Sequence, residues 1–352
     1  MKIALVHDYL NEYGGAERVL ETLAEMYPDA PIYTAFAVPN SSAVSAFKSR
    51  NIITSWFQYL PFYYKLYSPL RFLIPWIWSS FDLSSYDLVI SSASWYITKG
   101  FNAKREICYC HTPPRWLYGY PTSINFQKYW PVRVYGLIVG HFLRMYDFKQ
   151  AQKVTTFVAN SQEVAGRIRK FYRRDALVIY PPVSVPSVPT SKKSDYYLIV
   201  SRIVGGKGIE LAIEAAEKSG FRLKIAGEMA GFKKMERVET LGRVSEEEKI
   251  KLMTGARGFL ALEEAPDFGM TPVESMLCGT PVIAFNGGGY KETVIHKKTG
   301  ILFDDYSVAG LLGAIKEFEK IKFNSSVIKK HAQKFSKANF VKKIKEVISS
   351  HA

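Results

Sequence analysis

Short, nearly uninterrupted apolar runs alternate along this chain with stretches whose apolar positions recur every three or four residues. The runs at 2–7 (KIALVH), 31–36 (PIYTAF), 86–92 (YDLVISS), 105–110 (REICYC), 153–160 (KVTTFVAN) and 176–180 (ALVIY) predict strands. Helical spacing falls at 16–26 and from Ser161 to about Tyr172. Residues 181–195 (PPVSVPSVPTSKKSD) break the rhythm and read as a linker. The rhythm then resumes, with strands predicted at 196–201, 221–226, near 238–241, 257–262, 281–285 and 300–303. Helices are predicted at 207–219, 246–255, 271–278 and 308–319, and an amphipathic helix over about 325–350. Apolar strands alternating with helices imply parallel sheets covered on both faces. The expected class is α/β, with two doubly wound Rossmann-like domains facing a cleft. The domains are read as 1–182, a linker at 183–195, 196–322, and a helical tail at 323–352 packing back toward the first domain. No repeat of 20–50 residues suggests a solenoid.

Composition narrows the partners. The 352 residues are 47% hydrophobic and 22% charged, as in a globular protein. The formal net charge is +15, which calls for nucleic acid, an anionic membrane surface or phosphorylated small molecules. The basic residues are dispersed and no nucleic-acid motif is present, so no nucleic-acid partner is expected. Three cysteines cannot build a disulfide framework, and a reducing, cytoplasmic setting fits. The N-terminus reads as a first strand, not a secretion signal. The longest charge-free runs reach about 18 residues but carry Pro, Asn and Ser, so none reads as a spanning helix. Residues 51–80 hold ten of the 50 aromatics with only Lys65 and Arg71 as charges. That mixture suits peripheral contact with an anionic inner membrane face; core packing or a subunit contact is the alternative.

Four segments after strands carry candidate chemistry, since ligands of such sheets bind at the carboxyl ends of the strands. Gly14 and Gly15 follow His7-Asp8 and would let backbone approach a phosphate at a helix start. His111, in CHTPPRW, ends a strand where it can donate to or accept from a substrate oxygen. A metal site with Cys108 and Cys110 is not expected: strand alternation separates the three side chains, and no second pair completes a tetrahedral set. Arg202 ends a strand and Lys207 opens a helix across a glycine turn, an arrangement suited to a diphosphate. In DFGMTPVE, residues 271–274 read as a capping box with Pro272 at the first helical position and Gly279 ending the helix. Glu274 therefore has both a structural reading and a sugar-gripping one.

Taken in order, Arg202…Lys207 and DFGMTPVESMLCGTPVIAFNGGGYKET resemble the C-terminal signature of family-4 retaining glycosyltransferases of the GT-B fold. HDYLNEYGGAERV and CYCHTPPRWLY look like the matching half in mannosyltransferases of polysaccharide pathways. The resemblance covers nearly the whole chain. It implies that Gly14 and Gly15 approach the donor diphosphate, and that Arg202 and Lys207 neutralise the departing nucleoside diphosphate. It further places Glu274 at the ribose, and Phe268, Gly269, Met270 and Thr271 at the sugar and diphosphate. His111 would lie near the transferred sugar, and Arg243 and Val244 near the base. The implied donor is a nucleotide-diphosphate sugar, GDP-mannose preferred, with no metal or other cofactor. The implied acceptor is a glycan or lipid-linked glycan.

One departure stands out. The family carries a second Glu eight residues before Glu274, where this chain has Pro266. Asp267 or Glu264 would substitute; otherwise the protein binds sugar nucleotide with weak or no catalysis. A hydride-transfer enzyme is disfavoured because no GxGxxG follows either first strand.

Overall fold

The computed structural model describes residues 1–122, 129–186, 193–201, 206–227 and 236–350. The chain divides into two compact units, Met1–Pro182 with Val341–Ala352, and Val183–Phe340.

The first unit holds seven strands: β1 (Ile3–His7), β2 (Ile32–Thr34), β3 (Ile52–Thr54), β4 (Leu88–Ala93), β5 (Glu106–Cys110), β6 (Thr156–Ala159) and β7 (Ala176–Val178). All pair in parallel, in the order β3-β2-β1-β4-β5-β6-β7. The order reverses between β1 and β4, which defines a topological switch point at their carboxyl ends. Apolar side chains leave the sheet on both faces. One face packs Ala4, Val6 and Val89 with Phe36, Phe57, Ile74, Ile77, Trp78 and Tyr96. Farther along that same face Cys108, Cys110, Phe157 and Ala159 pack with Val164, Ile168 and Tyr172, while Leu5, Ile90, Ile107, Tyr109 and Val158 are buried on the other face. The three cysteines are buried and none forms a disulfide.

The second unit repeats the plan with six parallel strands: β8 (Tyr197–Val200), β9 (Leu223–Ala226), β10 (Val238–Gly242), β11 (Gly258–Ala261), β12 (Val282–Phe285) and β13 (Gly300–Phe303). Their order is β10-β9-β8-β11-β12-β13, so its switch point lies between β8 and β11. Ile199, Leu223, Ile225, Leu260, Ile283 and Ile301 pack under the helices Ile209–Ser219 and Val308–Glu319. Each unit is thus a Rossmann-like domain, the α/β architecture expected of the alternating pattern.

Several local expectations are corrected. Residues 130–153 form a 24-residue helix where none was predicted. The single tail helix is two helices, Ser325–Ala332 and Lys337–Ser349, separated by a short 3-10 turn and extended Ser336. Val183, read as linker, is buried and pairs with Ser336. The aromatic segment divides: Phe57, Ile74, Ile77 and Trp78 enter the core, while Tyr59, Phe62, Phe72 and Trp76 are exposed. No helix among the described residues is long and apolar enough to cross a membrane.

Candidate functional site

Each unit gathers its chemistry at the carboxyl edge of its own sheet. In the first unit a chain of hydrogen bonds crosses the switch point. His7, the last residue of β1, sets Nδ1 3.0 Å from the Ser92 hydroxyl on β4. The same hydroxyl lies 2.9 Å from Nε2 of His111, just beyond β5. On its other side, His7 Nε2 is 3.2 Å from the Glu17 carboxylate. Glu17 sits in the first turn of the helix Gly15–Met26 and also accepts the Gly14 N–H at 2.8 Å. Burial pushes the Glu17 pKa up, but the His7 hydrogen bond and charge and the surrounding backbone donors outweigh it, leaving a net lowering. The Gly14 amide, expected to face a phosphate, is thus already engaged by Glu17, while Gly15 is exposed.

The loop around His111 is held from several sides. Asn160, after β6, donates to the His111 carbonyl at 2.9 Å, and Arg167 donates to the Thr112 hydroxyl at 3.1 Å. Asp8, next to His7, is buried and accepts from Trp95 N–H at 2.5 Å, Ser94 N–H at 3.4 Å and the Thr98 hydroxyl. Burial raises its pKa against the lowering by His7, Thr98 and the two amides. Asp8 thereby ties the segment after β4 to the end of β1.

In the second unit, Arg202 lies outside the described residues. Lys207 precedes the helix Ile209–Ser219, whose N-cap is Gly208, so it stands before the helix and does not open it. Its ammonium pairs with the Glu263 carboxylate in the loop after β11, both groups only partly exposed. The cation expected to meet a diphosphate therefore has a carboxylate beside it.

That same loop ends in the helix Met270–Leu277. The proposed capping box is corrected here. The N-cap is Gly269, with φ +91° and no side-chain cap, so Met270 is the first helical residue and Pro272 the third. Pro272 still fits, because the first turn has no intrahelical use for its missing N–H. Gly269 is required twice: its φ is left-handed, and a Cβ there would lie 2.4 Å from the Tyr290 ring. Gly279 follows the helix in the left-handed region, as expected.

The loop is braced by a run that carried no assigned role. The Gly289 N–H donates to the Pro266 carbonyl at 2.9 Å. A Cβ at Gly288, whose φ is +47°, would meet that carbonyl oxygen at 2.2 Å. The glycines of FNGGGY thus let two backbones touch. Pro266 is buried, Glu264 exposed and Asp267 half-buried. The Phe268 side chain anchors the loop, packing on Phe335 with ring centroids 5.4 Å apart.

Glu274 is buried, with Oε2 3.1 Å from the Lys249 ammonium. Lys249 also meets Glu246 at 2.7 Å, one turn back on the helix Glu246–Gly255. Arg243 is exposed and Val244 half-buried just after β10, beyond Gly242. Sequence reasoning found the strand-end residues but missed Ser92, Lys249 and the pairing of Glu263, which lie far along the chain from the groups they hold. No group of three or more His, Cys, Asp or Glu side chains suited to a metal occurs among the described residues.

Two parallel Rossmann-like units with chemistry at their carboxyl edges define a GT-B-type glycosyltransferase fold. Solved structures resemble it over essentially the full length of both chains. Anabaena Alr3699/HepE in complex with UDP and glucose matches at TM-score 0.69 and 19% identity, covering 99% of this chain and 100% of that one. The lipopolysaccharide outer core galactosyltransferase WaaB matches at 0.70 and 16%, covering all of both chains.

Residues 13–185 match Glycosyltransferase Family 4, and residues 184–340 match Glycosyl transferases group 1. The two matches run nearly end to end, and the chain belongs to this glycosyltransferase family. Among curated relatives, an uncharacterized glycosyltransferase of Methanocaldococcus jannaschii is 28% identical over 47% of this chain and 49% of its own length. The alpha-1,3/1,6-mannosyltransferase ALG2 of Mus musculus is 26% identical over 56% of each chain. That of Rhizomucor pusillus is 25% identical over 76% of this chain and 70% of its own. The match thus spans about half the length of the first two relatives.

Proposed function

We propose that this chain is a retaining hexosyltransferase that moves mannose from GDP-mannose to a hydroxyl of a saccharide or lipid-linked saccharide. The observation that carries the reading is the carboxyl edge of β8 and β11, where Lys207 and the loop leading to the N-terminus of Met270–Leu277 meet through Glu263. Both the ammonium and the helix N-terminus favour negative charge. The similarity to ALG2 mannosyltransferases and the CHTPPR segment favour mannose.

In the proposed reaction the bond between sugar C1 and the phosphate oxygen breaks, and GDP leaves with the bonding pair. The acceptor oxygen bonds to C1 on the same face, and its proton passes to a leaving phosphate oxygen. Configuration is retained and no dedicated protein base is needed. Lys207, with Arg202 assigned the same role by resemblance, stabilises charge as it develops on the phosphate, so the proposal calls on no metal. Glu274 would accept from ribose hydroxyls, its charge balanced by Lys249. Asp267 would take the place of the acid absent at position 266.

The test is transfer from GDP-mannose by wild type and Lys207→Ala, alongside thermal shift with GDP, UDP and ADP. The expected outcome is a loss of roughly 100-fold in kcat/KM in the variant and stabilisation of wild type by GDP above the others. Pro266 supports a second reading, a sugar-nucleotide binder with degenerate catalysis. Wild type that binds GDP yet releases none from GDP-mannose would select it, and preference for UDP would overturn the mannosyl donor.

A further inference from the structure

We propose that an exposed aromatic face of the first unit lies on an anionic lipid bilayer. The helix Trp130–Lys153 is two-faced in burial although its apolar residues are not confined to one side. Gly140, Leu143, Asp147, Gln150 and Ala151 are buried. On the opposite side Trp130, Val134, Leu137, Ile138, Phe142 and Met145 form one stripe, with Trp130 74%, Leu137 69% and Phe142 61% exposed. Their spacing keeps them on one helix face. Continued to exposed Phe148, the stripe is about 27 Å long at the helical rise.

A second segment extends this surface. Tyr59 is 84% and Trp76 60% exposed, and Phe62 is exposed beside them in sequence. The Tyr135 hydroxyl of the helix donates to the Pro69 carbonyl at 2.5 Å, and the Trp56 indole N–H donates to the Trp76 carbonyl at 3.3 Å. Residues of both segments, among them Val139, Tyr146, Tyr67 and Leu73, pack against the same core. Large exposed apolar patches of this kind mark an interaction surface.

Charge identifies the occupant. No Asp or Glu occurs between Asp29 and Asp82, nor between His111 and Asp147. Those spans carry eight basic residues, among them Lys65 and Arg133, which are exposed on the two segments themselves. Two copies meeting through this face would oppose like charges, whereas an anionic leaflet complements it. Aromatic rings and basic side chains together suit the headgroup layer, and the helix lies along it and does not cross. The inference bears on the proposed function only in its purpose, bringing a lipid-linked acceptor to the protein.

The full chain is tested by co-sedimentation with vesicles of phosphatidylcholine, with and without phosphatidylglycerol. Wild type is expected to sediment with the anionic vesicles and to be released by salt. Combined Trp130→Ser, Leu137→Ser and Phe142→Ser should lower the partition coefficient at least ~10-fold while leaving thermal melting unchanged, because all three side chains are exposed. Wild type that ignores anionic lipid, a variant that binds as well as wild type, or a dimer that the variant dissolves overturns the proposal. Hydrolysis of GDP-mannose in vesicle-free buffer reads the transferase proposal separately, and is expected to be the same in wild type and variant.

Discussion

Ser92 determines which nitrogen of His111 carries a proton. The Glu17 carboxylate can only accept, so His7 Nε2 is the protonated nitrogen facing it. With His7 neutral, its Nδ1 accepts from the Ser92 hydroxyl, and the Ser92 oxygen then accepts from His111 Nε2–H. His111 Nδ1 is left as the acceptor nitrogen. With His7 charged, Nε2 still donates to Glu17, but both bonds through Ser92 reverse and His111 Nδ1 becomes a donor. Glu17 and Ser92 are thus positioning residues for His111, acting through a network and not as separate parts. If His111 meets the transferred sugar, as the resemblance implies, Glu17→Ala and Ser92→Ala should each lower kcat/KM by about tenfold, and the double variant should lose little more, since either break interrupts one chain. Steady-state kinetics on the three variants checks this. Losses that multiply, to about 100-fold in the double variant, would mean that the two side chains act independently.

At the scale of elements, β4 and β5 share a buried carboxyl. Glu106 opens β5, accepts from the Ser91 hydroxyl of β4 at 2.6 Å, and accepts from the Gly100 and Phe101 amides at 2.9 Å each. Burial raises its pKa to about 7 despite those donors and Lys99. A folded-state value above the unfolded one means that the folded protein holds the proton longer. Glu106 therefore favours folding most below about pH 4.5, and that contribution fades as pH rises through about 7. The fading amounts to about 3 kcal/mol at 1.36 kcal/mol per unit. In Glu106→Gln the amide oxygen can accept both backbone N–H groups while its NH2 donates to Ser91, so the network survives. Denaturant titration should find wild type losing stability between pH 5 and 8 and the variant losing less. Parallel fall in both would remove Glu106 as the cause. This pair also marks where the sequence stops being legible. Apolar runs set most strand positions, and β13 and the helix Val308–Glu319 fall on their predicted residues. The helix Trp130–Lys153 escaped because its outward side is as apolar as its inward one, which erases the helical stripe. The three-residue edge strand β3 is too short to carry a pattern. Strand ends located Lys207, His111 and Glu274, but their partners Glu263, Ser92 and Lys249 are tertiary neighbours that no local spacing announces.

On the scale of the whole molecule, the chain's last residues belong with its first. Val341–Ala352 groups with Met1–Pro182, although the 158 residues of the second unit, Val183–Phe340, separate them in sequence. The attachment is physical: Arg105 donates to the Val347 and Ile348 carbonyls at 2.8 and 2.9 Å, and Lys343 lies 5.9 Å from the centre of the Tyr180 ring. Ile344, Val347 and Ile348 are buried. At about 1.5–3 kcal/mol for each buried aliphatic side chain, those three contribute on the order of 5–9 kcal/mol, comparable to the entire stability of a domain. Removal of residues 341–352 should therefore unfold the first unit preferentially. Calorimetry of the full chain should resolve two transitions, only one of them raised by GDP if the donor nucleotide is held by the second unit. Truncation should lower or abolish the GDP-insensitive transition and leave the other in place. Loss of the GDP-responsive transition with the other intact would mean that the terminal segment stabilises the second unit, contrary to the division its contacts define.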